Sequence, residues 1–161
     1  MREDPGSSLR ARVAREDQKA LDLSAFEALR CRNLMCEHVG DRCACKLALW
    51  LSRQSLPELE TLSLRGNDLR FVPDSVFDLG SLRELDLAGN RIEEVPKAVA
   101  RLGSLRVLDV SGNADLAAVP WDTLASLPAL EEVRADVAPH PGDARWRAGA
   151  GGVVWRVPDP P

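Results

Sequence analysis

Cys31, Cys36, Cys43 and Cys45 crowd one short stretch, with His38 among them. Thiolates and imidazole are zinc ligands, so such a group could supply a tetrahedral site. The intervals x4, x6 and x are not those of paired CxxC or CxC knuckles. Cys45 also falls in a helical pattern near Leu47, Ala48 and Leu49, where cysteine commonly serves as a small buried hydrophobe. The spacing favours free thiols, buried or on the surface, with zinc or disulfides as alternatives. No metal site and no cofactor is therefore expected, and the four cysteines stand as the only metal candidates.

Other chemistry has little to build on. The two histidines, His38 and His140, lack a nucleophile partner by motif, and His140 stands between prolines. No phosphate loop, HExxH helix or nucleophile elbow occurs. Carboxylates are plentiful but read as a solvated face, so no catalytic residue and no enzymatic activity is expected.

Composition narrows the partners. With 45% hydrophobic and 29% charged residues, the 161-residue chain has the balance of a folded domain. A net charge of −4 leaves no general basic footprint, so direct nucleic-acid binding is not expected and a basic or mixed-charge protein partner fits better. No stretch approaches the ~18 apolar residues of a membrane span. Residues 1–20 mix Arg2, Arg10, Arg12 and Arg15 with Glu3, Asp4, Glu16 and Asp17, without the apolar core of a secretion signal. Cytoplasm is the expected compartment, with nucleus or cilium as alternatives.

The elements that would carry any site come from an internal repeat. One segment runs Leu59-x-x-Leu62-x-Leu64-x-x-Asn67-x-Leu69 and the next Leu82-x-x-Leu85-x-Leu87-x-x-Asn90-x-Ile92. A third runs Leu105-x-x-Leu108-x-Val110-x-x-Asn113, with Leu116 one residue late. The asparagines recur every 23 residues, and each unit continues into Val72-Pro73, Val95-Pro96 or Val119-Pro120 followed by spaced apolar residues. A fourth unit starts with Leu130, Val133 and Ala135, then dissolves at Ala138 and Pro139, as a terminal repeat should. Alternation in Leu62-x-Leu64 marks a strand with one buried face, while the spacing after Val-Pro suits a short helix. No unit can bury its leucines alone, so stacking must make the core.

Leu59 through Ala135 resemble the leucine-rich-repeat family, and the Val-Pro halves resemble its short intracellular members. The resemblance implies an α/β solenoid: a short right-handed horseshoe with parallel strands on the concave face and helical or 3₁₀ segments on the convex face. Upstream, Val39-Gly40-Asp41 through Leu51, then Leu56-Pro57-Glu58-Leu59, is similar to the longer ribonuclease-inhibitor-type unit. Extracellular members carry a cysteine-stapled cap in which CxC precedes a later cysteine; here Cys43-x-Cys45 comes last.

If Leu62 and Leu64 point into the core, Thr61, Ser63 and Arg65 point to the concave side. By register the next strands display Glu84, Asp86 and Ala88, then Val107, Asp109 and Ser111, then Glu132, Arg134 and Asp136. Glu84, Asp86, Asp109, Glu132 and Asp136 form an acidic patch broken by Arg65 and Arg134. Asn67, Asn90 and Asn113 are read as a structural ladder that satisfies backbone groups, including those of the next repeat. Replacing Asn90 by Leu should then cost about 1–3 kcal/mol.

Residues 1–19 are expected to be mobile, 20–58 to form a cap or irregular first repeat, 59–138 the repeats and 139–161 a capping tail. Trp146 and the β-prone Val153-Val154-Trp155-Arg156-Val157 are expected to fold back on the last repeat, or to serve as a docking motif. The functional expectation is a non-catalytic interaction module, a scaffold or adaptor with its partner on the concave face. The alternatives are a structural subunit of a ciliary or ribonucleoprotein assembly and, behind it, a zinc-binding cap.

Overall fold

The computed structural model describes residues 19–26, 45–51, 55–148 and 154–156. In chain order these form β1 (Ala20–Asp22), α1 (Cys45–Leu51), β2 (Thr61–Ser63), α2 (Asp74–Phe77), β3 (Glu84–Asp86) and a 3₁₀ turn, η1 (Lys97–Arg101). Then follow β4 (Val107–Asp109), α3 (Trp121–Ala125), β5 (Glu132–Arg134), β6 (Arg147–Ala148) and β7 (Val154–Arg156).

The sheet is open and seven-stranded, in the order β1-β2-β3-β4-β5-β7-β6. Strands β1 to β5 are parallel and in register, β2 to β5 each about one repeat after its neighbour and β1 further upstream, which brings Leu21, Leu62, Leu85, Leu108 and Val133 into one row. All of that row is buried. A second buried row, Leu23, Leu64, Leu87, Val110 and Ala135, follows two residues on, as the period of a strand requires. Stacked leucines of neighbouring units thus make a core that no single unit could close, each contributing on the order of 2 kcal/mol.

On the far side of the core α1, α2, η1 and α3 stack in succession. Proline sets the start of the last three. Pro73 and Pro96 are extended, at φ −68° and −71°, and their carbonyls accept the Val76 and Val99 N–H groups three residues on. A proline there loses nothing by lacking an N–H, because the first turn of a helix leaves its donors free anyway. In α1, Leu47 and Leu51 are buried one turn apart while Leu49 is 54% exposed, so the apolar stripe faces inward.

The turns leaving β2, β3 and β4 each use glycine. Gly66, Gly89 and Gly112 all have positive φ, near 65°. A Cβ on Gly112 would lie 3.3 Å from the Gly89 backbone nitrogen, so backbone crowding adds to the conformational requirement.

The asparagine after each glycine is buried, and its amide reaches back to the preceding turn rather than forward to the next. Asn90 Oδ1 accepts the N–H groups of Asn67 (2.9 Å) and Leu69 (3.1 Å), while its Nδ2 donates to the Leu64 and Leu87 carbonyls. Asn67 does the same for Phe26, Leu23 and Leu64, and Asn113 for Ile92, Leu87 and Val110. Each of these polar side chains is tolerated at a buried position because its hydrogen bonds replace those of water.

At the end of the array the direction changes. β7 runs antiparallel to β5, pairing Glu132 with Arg156, Val133 with Trp155 and Arg134 with Val154, and β6 pairs on its outer side. Trp146 and Trp155 meet Trp121 edge-on, with ring centroids 4.9 and 6.2 Å away. Trp155 Nε1 also donates to the Ala135 carbonyl. The hairpin therefore lies on the edge of β5 and covers the end of the core.

Candidate interaction surface

The row of core side chains fixes what the opposite sheet face carries, because neighbours along a strand alternate. Thr61, Glu84, Val107 and Glu132 form one cross-strand row, and Ser63, Asp86, Asp109 and Arg134 form the next. Arg65, Ser111 and Asp136 follow at the strand exits. Most of these side chains are exposed or half-buried.

Two residues expected on the open face are covered. Ala88 is 1% exposed, since a methyl group is too short to rise above its neighbours, and Asp109 is 8% exposed. Asp109 Oδ1 accepts the Ser111 N–H (3.0 Å) and hydroxyl (2.6 Å), and its Oδ2 lies 3.7 Å from the Arg134 guanidinium. Arg134 in turn donates to Glu132 at 2.7 Å. Glu132, and after it Asp109, holds the arginine's pKa above its ordinary value.

The expected acidic patch is thus unequal. Asp86 accepts the Ala88 N–H at 2.9 Å and the Ser63 hydroxyl at 3.1 Å, with Ser63 bonded onward to Ser24. Asp22 accepts the Ser24 N–H in the same way. Asp22, Asp86 and Asp109 share one duty: a carboxylate at the last strand position accepts the N–H two residues on, as in an Asx turn. The sequence carries that signal as Leu21-Asp22-Leu23, Leu85-Asp86-Leu87 and Leu108-Asp109-Val110. Asp136 differs. Its carboxylate accepts the Gly112 N–H at 2.6 Å, whereas the equivalent N–H groups of Gly66 and Gly89 go to the carbonyls of Ala88 and Ser111. Glu84, exposed and without an ion pair among the described residues, is the acid of this face with no internal use.

Sequence reasoning missed Trp121, Asp122 and Arg145. The residue after Val-Pro is the exposed, charged Asp74 in the first unit and the charged Lys97 in the second, but buried Trp121 in the third. Beside it, Asp122 accepts a hydrogen bond from Arg145, which also clasps Asp143. That clasp, through Arg145 first, lowers the Asp143 pKa. A break in a repeat at one position was the available sign that this unit receives the tail.

Cys31, Cys36, Cys43 and His38 lie outside the described residues, and Cys45 opens α1. Among the described residues no cluster of three His, Cys, Asp or Glu side chains could hold a metal ion, and no helix is long and apolar enough to cross a membrane. His140 is exposed, and its carbonyl accepts the Asp143 N–H. A recess of about 340 Å³ at the strand entries is lined by Lys19, Glu58, Glu60, Ser81 and Arg83. Its cations already pair with Glu60.

Residues 57–114 match the family model described as leucine rich repeat. Among solved structures, a leucine-rich-repeat protein of Leptospira interrogans is 26% identical with a TM-score of 0.44, over 50% of this chain and 21% of that one. The likeness therefore spans about a fifth of that protein's length. No curated protein matches the chain.

Proposed function

From the premise that this fold is a leucine-rich-repeat solenoid, a domain type that generally mediates protein–protein interaction, we propose that the chain is a non-catalytic interaction module. Its partner is a protein held on the concave strand face by basic or mixed-charge contacts. The observation that supports this reading is the pair of polar rows laid across parallel strands, with exposed Glu84 beside Asp86 at their middle. A broad polar face of this kind suits a macromolecule, whereas small ligands favour an enclosed apolar pocket. So short an array suits an interface of standard size or below.

The reading as a subunit permanently buried in an assembly rested on the tail tryptophans. Trp146 is buried and Trp155 half-buried against the chain's own last repeat, so the packing of these rings is accounted for within the chain and lends that reading no added support.

Capture from native lysate tests the proposal, comparing wild type with the double variant Glu84→Arg, Asp86→Asn. Asparagine at 86 removes the charge and keeps Oδ1 as acceptor for the Ala88 N–H, while its NH2 can donate to the Ser63 hydroxyl in place of the oxygen that accepted from it; circular dichroism verifies the fold. A protein lost selectively by the variant is the expected result. Full retention of every captured protein by the folded variant sinks the reading.

A further inference from the structure

The C-terminal hairpin does more than close the core: it lengthens the candidate face by two strands, and the outer one carries the opposite charge. Antiparallel register places Arg156 opposite Glu132 and Arg147 opposite Arg156, so the row that holds Ala20, Thr61 and Glu84 runs on to Arg147 at the outer strand. Directly opposed residues of neighbouring strands share a sheet face. The intervening row, Val133 and Trp155, is on the core side, as the Trp155 contacts with Trp121 and the Ala135 carbonyl show. Arg147 is exposed.

Charge along the face is divided by what is already paired. Between β3 and β6 Arg134 bridges Glu132 and Asp109, so both carboxylates there already share an internal partner, one cation between two anions. Glu84 on β3 and Arg147 on the outermost strand, β6, have no ion-pair partner among the described residues. Strand β3 therefore presents uncompensated negative charge from Glu84 and Asp86, and β6 presents positive charge from Arg147.

We propose that this face takes a charge-divided polypeptide segment lying across the strands, its basic part over Glu84 and Asp86 and its acidic part over Arg147. The proposal rests on the concave-face reading above and adds the order of the partner's charges. Between β3 and β6 lie β4, β5 and β7. At about 4.8 Å per strand step β3 and β6 are about 19 Å apart, a span of about six residues of extended chain.

Three labelled peptides of equal length serve as probes: lysines at both ends, glutamates at both ends, and lysines at one end with glutamates about six residues away. Fluorescence anisotropy with the full chain at low salt should rank the divided peptide first, by about fivefold over the all-lysine one, the size of one exposed charge pair. Arg147→Glu should invert that order, and Glu84→Arg should weaken the divided and all-lysine peptides alike. Equal binding of the divided and all-lysine peptides, unmoved by Arg147→Glu, overturns the charge-divided proposal and leaves the acidic-face reading standing. Failure of every peptide, together with unchanged capture by the Glu84→Arg, Asp86→Asn variant, overturns both. If sedimentation shows a dimer that Arg147→Glu disperses, a second copy of the chain occupies the face and the proposal falls.

Discussion

The middle repeats and the last repeat solve the same problem by different means. In the middle, each buried turn is satisfied by the unit that follows: Asn90 serves Asn67 and Leu69, and the Ala88 carbonyl takes the Gly66 N–H. The unit after the Gly112 turn has no asparagine to offer, its position being Ala138. There the Asp136 carboxylate takes the Gly112 N–H, and three tryptophans with an antiparallel hairpin cover the end of the leucine stack. Repetition supplies both apolar cover and hydrogen-bond partners, but only while another unit follows. Where it stops, residues outside the pattern must provide both.

The sharpest way to break this contrast is Asn90→Leu. It leaves the buried Asn67 and Leu69 N–H groups unpaired, and the expected loss is about 4 kcal/mol at roughly 2 kcal/mol per group. Denaturant unfolding should show a lower midpoint for the whole array. Next in size is Trp121→Ala, which removes the surface under both hairpin tryptophans and should cost about 3 kcal/mol. That loss should be local: amide exchange should accelerate in β5, β6 and β7 while the turns at Asn67 and Asn90 keep their protection. Uniform acceleration across the chain would show that the end and the middle are one cooperative unit.

Asp136→Ala is smaller, about 1 kcal/mol, because the Gly112 N–H it leaves is near the surface and water can reach it. The effect is measurable as a modest drop in thermal midpoint. The smallest effect concerns pH. Arg145 holds Asp143 below the ordinary carboxylate range, so its contribution to docking the tail is present above the unfolded-state pKa and is lost as pH falls through the folded one. Tryptophan fluorescence should be flat from neutral pH to about pH 5 and change only below about pH 4. Arg145→Gln should abolish that acidic step.

Much of this was legible in the residues. The row Leu62, Leu85, Leu108 and Val133, the helical starts after Val-Pro and the polar residues opposite the core all follow from spacing, because a repeat is a local pattern copied at a fixed interval. The solenoid follows with them. The candidate site was less legible, since spacing tells which way a side chain points and not what it meets. Asp109 points away from the core as its register demands, yet Ser111 and Arg134 enclose it. Glu84 has the same kind of position and stays exposed.

What the sequence determined alone is the repeating half of the molecule: strand, glycine turn, asparagine and return, whose partners lie one period away. What only the tertiary structure decided is the end. That β7 runs antiparallel on β5, that Trp121 is its receptor, and that Arg147 thereby joins the row of Glu84 depend on one contact made once. A periodic signal names its own partner, whereas a contact made once leaves no second copy in the chain from which to read it.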